Sequence, residues 1–511
     1  MWLSGMMRLV NFHLGASLYV MAKVAVDGSF EGIFMLLGGC ALLTLLVYEN
    51  LADVALAVNT NTQVPVKASL CGLVSQTLGP RTAVLLRMLV VLNAFGVFVS
   101  YGKTIMDVYD AVLQEGASAA AQGIGAVCVG CVGVLIVCGG HIDGWDSLLA
   151  NGTLLFLLVA LFFLEPVPAP ASVPKLWGEL VVSYGPSLVF AFSSAEYVLF
   201  ACGVVNESGD FIRGVPVHRR VRIIGSSSVL ISYALYLAVG HGGARAFGSG
   251  VEEDILKNFA LKESKHEFLS AAVLATNGAS LLLSLPVFTE TFLQYIRELL
   301  EDLLPARLFQ QASRSSFFVH LVNPRRPWFG MAWVLPVALI AAHRASSLID
   351  VINLMSSCTD YAFMFVFPSL AFCAAVPWSG RPIRWTLNVL LAILACCLGS
   401  RFFYNELAPL RRETNERVYG FEKRTLSDQK IFAWIRALTH SPALESFFPQ
   451  SSPSGPENGA LPSQCAEKLR GSASWQRLEP TKPGTCAVAI SHLWTFLCCF
   501  YGEGGGDVGF R

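Results

Sequence analysis

Eleven stretches of this chain each run for about 20 mostly apolar residues, the length that carries an α-helix across a bilayer. They lie near 8–26, 31–52, 83–112, 121–139, 147–164, 179–204, 221–242, 268–292, 328–343, 348–376 and 384–404. That pattern predicts an all-α polytopic membrane protein. Two of the stretches are interrupted by small and polar residues: Met7-Arg-Leu-Val-Asn-Phe-His-Leu-Gly-Ala-Ser-Leu-Tyr-Val and Pro186-Ser-Leu-Val-Phe-Ala-Phe-Ser-Ser-Ala-Glu-Tyr-Val-Leu-Phe. Lipid supplies no partners for backbone N–H and C=O groups, so irregular backbone at membrane depth survives only beside a protein-lined cavity. Breaks at matching places in two halves of a polytopic chain point to a transporter's substrate site. The pattern implies a solute carrier.

Composition agrees with a bilayer as solvent. Hydrophobic residues make up 54% of the chain and charged residues 14%, where an ordinary soluble domain carries about a quarter. Mean hydropathy is +0.55. The formal net charge is zero and no basic run occurs, which excludes a nucleic-acid partner. The 14 cysteines are scattered, and Cys128-Val-Gly-Cys131 sits inside an apolar stretch without a partner pair, so helix packing outweighs a redox or zinc role. No metal site or resident cofactor is implied. G-x-x-x-x-G-K-[ST], H-E-x-x-H and G-x-S-x-G are all missing from the sequence, which argues against an ATP-driven pump and against an enzyme. The opening segment lacks a small-residue cleavage site and runs directly into the first stretch, unlike a signal peptide.

The first ten stretches divide into two sets of five, each led by a broken one. That order matches a 5+5 inverted repeat of ten core helices plus one extra helix. Arg213, Arg219, Arg220 and Arg222 follow the sixth stretch, Arg297, Arg307, Arg314, Arg325 and Arg326 the eighth, and Arg381 and Arg384 the tenth. The positive-inside rule then puts the N-terminus in the cytoplasm, with Lys67 and Arg81 on the same side. Asn151-Gly-Thr153 and Asn206-Glu-Ser208 fall in the membrane or on the cytoplasmic side and are expected to stay unglycosylated. The transport domain is assigned to residues 1–404. The polar stretch 405–511 reads as a poorly ordered tail, with a short apolar run from Ile490 to Tyr501.

The first break carries Asn11, His13, Leu14, Gly15, Ala16 and Ser17. Unwinding there frees amides at a half-helix N-terminus, a setting that favours an amino-acid carboxylate, and carbonyls that suit Na⁺. The second break carries Phe192, Ser193, Ser194 and Glu196. A charge at bilayer depth is costly and normally faces a cavity or a partner. His13, whose ordinary pKa lies near physiological pH, is a proton-relay candidate. Glu196 can hold a substrate ammonium or carry the coupling charge, and Asp360 inside the tenth stretch is a further coupling candidate. Glu49 and Asp53 stand near a helix end and are expected to reach water. Thr276, Ser280 and Ser284, with Asn277 beside them, put hydroxyls four apart on one face of the eighth stretch, a candidate alkali-ion surface or a bend before Pro286.

From about Val10 to Phe403 the chain resembles the amino acid/auxin permease family. Phe247-Gly-Ser-Gly-Val-Glu-Glu-Asp-Ile-Leu-Lys-Asn-Phe259 is similar to the family's F-G-x-x-V-x-x-D-I-L-x-N-[FLY]. Pro186 to Phe192 running into Asn206-Glu207, Asn11 with Leu14-Gly-Ala-Ser-Leu18, Phe95-Gly-Val-Phe-Val-Ser-Tyr101 and Phe365-Val-Phe-Pro-Ser-Leu370 resemble further family elements in order. The chain departs from the family in Tyr19-Val-Met-Ala22 for L-P-Y-A, in Ser17 for a second glycine, and in Thr289-Glu-Thr291 for Pro-x-Arg. The resemblance implies eleven spans on a LeuT-like fold and secondary active transport of small neutral amino acids, coupled to H⁺ or Na⁺. The backbone from Leu14 to Ser17 would take the carboxylate and the stretch Phe192 to Glu196 the ammonium. A membrane-embedded amino-acid sensor or scaffold of the same fold is the alternative. Lipid and a small amino acid are the partners implied, and plasma membrane and vacuolar or lysosomal membrane are equally open.

Overall fold

A computed structural model describes residues 2–61, 69–113, 145–167, 175, 177–199, 217–260, 267–315, 322, 327–345 and 347–420. The stretch near 121–139, Cys128 and Cys131, Asn206, Lys67, Arg213, Arg325, Arg326 and the run from Ile490 to Tyr501 lie outside these residues. Contacts divide the chain into two units, Met1–Leu407 and Ala408–Arg511. In the second unit the described residues, 408–420, are helical.

In chain order the helices are α1 (Trp2–His13), α2 (Ser17–Asn61), α3 (Leu70–Leu78), α4 (Pro80–Leu113), α5 (Trp145–Phe163), α6 (Trp177–Ala191) and α7 (Val217–Phe247). There follow α8 (Ile255–Ala260), α9 (Glu267–Leu303), α10 (Ala306–Arg314), α11 (Pro327–Arg344), α12 (Leu348–Met355), a π-helix (Ser356–Val366), α13 (Phe367–Ala375) and α14 (Pro382–Gly420). Helix α14 therefore runs 16 residues past the 404 boundary, because Glu406, Arg411, Arg412 and Glu413 favour a helix as readily as a polar tail.

Among the described residues six helices are long and apolar enough to cross a membrane, with Asn151–Phe163 and Trp333–His343 as shorter apolar helices. Large apolar side chains stand exposed along them, among them Met35, Leu42, Met88, Leu92, Ile340, Leu390 and Leu394. An exposed apolar surface of that extent needs lipid rather than water around it. At 45 residues α2 is far longer than one crossing. Ser29, at φ 62 and ψ 165, turns it into two arms. Met21 of one arm and Ile33 of the other both pack at Gly240 of α7, so the arms run back beside that helix.

Ion pairs tie the helix ends together on two faces. Arg87 near the start of α4 bonds Glu298 at 3.2 Å and Asp302, near the end of α9. About 30 Å along α4, Asp107 meets Lys103 at 3.3 Å and Lys257 of α8 at 3.1 Å. Asp53 does not reach water as expected: it is buried and receives Arg222 at 2.9 Å, Arg384 at 2.7 Å and Arg381. Three guanidiniums from the starts of α7 and α14 close over it. Glu49 takes the remaining face of Arg222 at 2.9 Å and is partly exposed.

Candidate functional site

The chain is severed twice in the interior of the fold. Helix α1 ends at His13 and α2 begins at Ser17, leaving Leu14, Gly15 and Ala16 as the gap. Leu14 N–H still reaches the carbonyl of Val10 at 2.9 Å, and the next helix opens with tight bonds from Leu18 to Gly15 and Tyr19 to Ala16. With Leu18 and Tyr19 so engaged, Ser17 N–H at the start of α2 is the first-turn amide that faces the gap by helix geometry. The second gap follows Ala191 of α6, where Phe192, Ser193 and Ser194 separate it from a helical turn over 195–199. The amides of Ser194 and Ala195 both meet the thioether of Met364 at 3.2 Å, a weak acceptor.

Side chains then join the two gaps. His13 Nε2 is hydrogen-bonded to Ser194 Oγ and to Tyr48 Oη at 3.1 Å, while Nδ1 meets Ser232 Oγ at 3.0 Å. Tyr48 Oη also contacts Ser194 Oγ. Tyr236 of α7 reaches the carbonyl of His13, the carbonyl of Ala191 at 3.0 Å, and Ser17 Oγ at 2.8 Å. A phenol has one proton, so Ser17 donates to Tyr236, and Tyr236 shares its hydrogen between one carbonyl from each gap. Phe192 leans edge-on against both His13 and Tyr236.

Beside the gaps lies a narrow cavity bounded by Gly15, Asn93, Val97, Phe190 and Ser193, with a cage of four rings, Phe12, Tyr101, Tyr197 and Phe288. It leaves about 10 Å³ for the centre of a water molecule, so admitting an amino acid requires the rings to move. Phe12 stacks on Tyr197 at 3.9 Å, and Phe288 meets Phe12, Tyr101 and Tyr197 edge-on. A Cβ on Gly15 would come within 2.9 Å of Tyr101 Oη, so the missing side chain lets that ring cover the first gap.

The structure thus brings together Gly15, Ser193, His13, Ser17, Phe192 and Ser194, with Leu14 and Ala16 buried between them. Asn11 stands one turn earlier and accepts from Ser284 Oγ at 3.1 Å. Thr276 bonds the carbonyls of Ala272 and Val273 in its own helix, and it stands two turns, about 12 Å, from Ser284. Thr276 and Ser284 therefore share a face but not one ion. Ser284 also bonds the carbonyl of Ser280, while Asn277 accepts from Tyr19 at 3.3 Å. Glu196 does not line the cavity; it is buried beside the backbone amide of Leu70 at the start of α3, with the charges of Arg87 and Glu298 acting on it. Asp360 sits in the π-helix and accepts from Ser193 Oγ at 2.6 Å. The sequence reading missed Tyr48, Tyr236, Ser232 and Met364; each lies in an apolar helix where nothing local marks it.

The Phe247–Phe259 motif has a structural account at the end of α7 and in the loop beyond it. Gly248 takes φ 56, open to glycine at little cost, and starts a 3₁₀ turn over Gly248–Gly250. Asp254 accepts from Leu256 N–H at 2.9 Å, and Asn258 bonds the carbonyl of Gly250 at 2.7 Å and the amide of Glu252 at 3.0 Å. Phe247 and Phe259 close the loop edge-to-face. Burial pushes the Asp254 carboxyl up to about 7, and Asp107 adds to the rise, against the opposing pull of the Leu256 amide, Lys257 and Lys103. Asn151 lies within α5 and donates to the carbonyl of Met7 at 2.9 Å. Among the described residues no three of His, Cys, Asp and Glu gather to hold a metal ion.

No curated protein matches this chain. A manganese transporter of Eremococcus coleocola, solved with an aromatic bis-isothiourea substituted compound, is 15% identical; the match covers 87% of this chain and 92% of that one at a TM-score of 0.50. The likeness is one of fold. Two variants of the same transporter, 13% and 14% identical with the same coverage, give TM-scores of 0.44. The model of the family "Transmembrane amino acid transporter protein" matches residues 181–405. That stretch holds the second gap, the Phe247–Phe259 motif and the π-helix of Asp360. Over residues 181–405 this multi-pass membrane protein is similar to the family of transmembrane amino acid transporters.

Proposed function

We propose that this protein is a secondary active transporter of small neutral amino acids that works by alternating access. One observation carries the reading: two severed helices, far apart in sequence, lie side by side and are bonded to each other through His13–Ser194 and Tyr236. The Ser17 amide at the start of α2 takes the substrate carboxylate, and the carbonyls of the second gap take its ammonium. The ring cage around Gly15 and Ser193 limits the side chain to a small one. Eleven spans on a LeuT-like 5+5 repeat plus one helix accommodate both gaps, each leading its half. The N-terminus is cytoplasmic, on the face of the Asp53–arginine cluster, in keeping with the positive-inside rule. A proton gradient drives uptake, with Na⁺ as the alternative ion. Manganese, the substrate of the fold neighbour, finds no counterpart cluster among the described residues.

The test is uptake of labelled alanine, glycine and proline into proteoliposomes, with and without a pH or Na⁺ gradient. Gradient-dependent accumulation supports the reading. Flat uptake of every amino acid by folded protein removes it; ligand-dependent thermal stabilisation without uptake would instead establish a sensor.

A further inference from the structure

The π-helix Ser356–Val366 holds a carboxyl in an unusual position. Asp360 is fully buried, and one of its oxygens accepts from Ser193 Oγ at 2.6 Å. Oδ2 makes no well-formed hydrogen bond, and neither does Ser356 Oγ, which stands beside the carboxyl one turn earlier in the same π-helix and is equally buried. An ionised carboxylate in an apolar interior needs several donors or a cation. Among the described residues no basic side chain pairs with Asp360. The titratable groups within electrostatic reach of it are Tyr197 from beyond the second gap, and Cys358 and Tyr361 on its own element; α4 contributes the neutral Asn93, which accepts from Thr359. Through Ser193 and Asn93 the segment is one residue removed from the cavity. π-Helical backbone is rare and frequently marks functional sites.

We propose that Asp360 is where the transported proton is bound, held between Ser193 of the second gap and Ser356 of its own turn. The assignment rests on the transport reading above. A proton taken from water on one side forms Oδ2–H, which donates to Ser356 Oγ and satisfies both orphan atoms at once. On release that O–H bond breaks, the proton leaves to water on the other side, and the bare carboxylate draws on Ser193. Because Ser193 lies in the second gap and in the cavity wall, proton occupancy is felt where substrate binds.

The experiment combines infrared titration of the purified full chain with alanine uptake in proteoliposomes. Wild type is expected to show a buried protonated-carboxyl C=O band that shifts in D₂O, and an uptake rate raised several-fold by an acidic exterior. In Asp360→Asn the band is lost and the gradient no longer accelerates uptake; Asp360→Glu restores part of the acceleration. A band unchanged in Asp360→Asn, or acceleration equal to wild type, overturns the proposal while leaving transport intact. If wild type transports nothing, the transport reading fails, and the band alone decides whether Asp360 binds a proton. If Asp360→Asn does not fold, Ser356→Ala is used: a shifted band upholds the proposal and an unshifted one overturns it.

Discussion

The imidazole of His13 and the hydroxyl of Ser194 are hydrogen-bonded across 181 residues of sequence, each at the edge of a severed helix. Nδ1 and Nε2 are both engaged, so the ring cannot turn without breaking bonds to Ser232, Tyr48 and Ser194. His13→Ala takes the imidazole from Ser232 Oγ, at a cost of about 1–3 kcal/mol for a buried hydroxyl left unsatisfied, and strips one bond each from Tyr48 and Ser194, which keep their contact with each other. Thermal melts should show a large loss of stability, and the His13→Ala/Ser194→Ala pair should lose less than the sum of the two single changes. Additive losses would mean the two residues act separately.

Tyr236→Phe keeps the ring against Phe192 and removes only the hydroxyl that joins both gaps. The carbonyls of His13 and Ala191 then lose their shared donor. Stability should fall by about 1–3 kcal/mol, and alanine uptake should drop through a higher KM, since this hydroxyl holds together the two gaps proposed to bind substrate. Uptake kinetics identical to wild type would place the substrate elsewhere.

Ser29 holds φ 62 and ψ 165, a region open to glycine and costly for other residues, at the corner between the two arms of α2. Such strain amounts to about 1–3 kcal/mol. Ser29→Gly should therefore raise the melting temperature by a few degrees, even though the contact from Gly32 N–H to Ser29 Oγ at 3.3 Å is lost. A lowered melting temperature would show that this contact outweighs the strain.

Asp254 predicts a pH dependence. An unfolded aspartate titrates near 3.8, and burial lifts this one to about 7. The folded state holds the proton more tightly, so this contribution to stability is fully present below the unfolded value and is lost as pH rises through about 7. Each unit of difference is worth about 1.4 kcal/mol. Asp254→Asn keeps the acceptor for Leu256 N–H and should flatten the fall in melting temperature between acid and neutral pH. An unaltered slope would rule out Asp254 as its source.

Asp53→Asn would leave Arg222, Arg381 and Arg384 gathered without their shared counter-charge. Removing one partner of a buried pair costs about 3–5 kcal/mol, lessened here because the arginines are partly exposed. The variant should melt lower, and added salt should recover part of the loss by screening the guanidinium repulsion. A salt-independent loss would point to packing instead.

The apolar spans, the places where two of them break, and the charged loops were legible in the sequence because each rests on a local sum. Twenty apolar residues commit to a helix in lipid whatever surrounds them, and Gly15-Ala-Ser17 and Ser193-Ser194 weaken a helix where they stand. The Phe247–Phe259 motif was visible for the same reason, since its bonds close within a dozen residues. Tertiary structure alone decided the partners. Tyr48 and Tyr236 sit in apolar helices like many other tyrosines, and only the packing of α2 and α7 against the gaps turns their hydroxyls inward. Asp53 looked like a helix-end carboxylate until α7 and α14 brought three arginines over it. Glu196 and Asp360 looked alike as buried acids, yet folding turned one toward α3 and the other toward Ser193. Hydrophobicity adds up along the chain, whereas a buried polar group is satisfied by whatever distant atom the fold delivers.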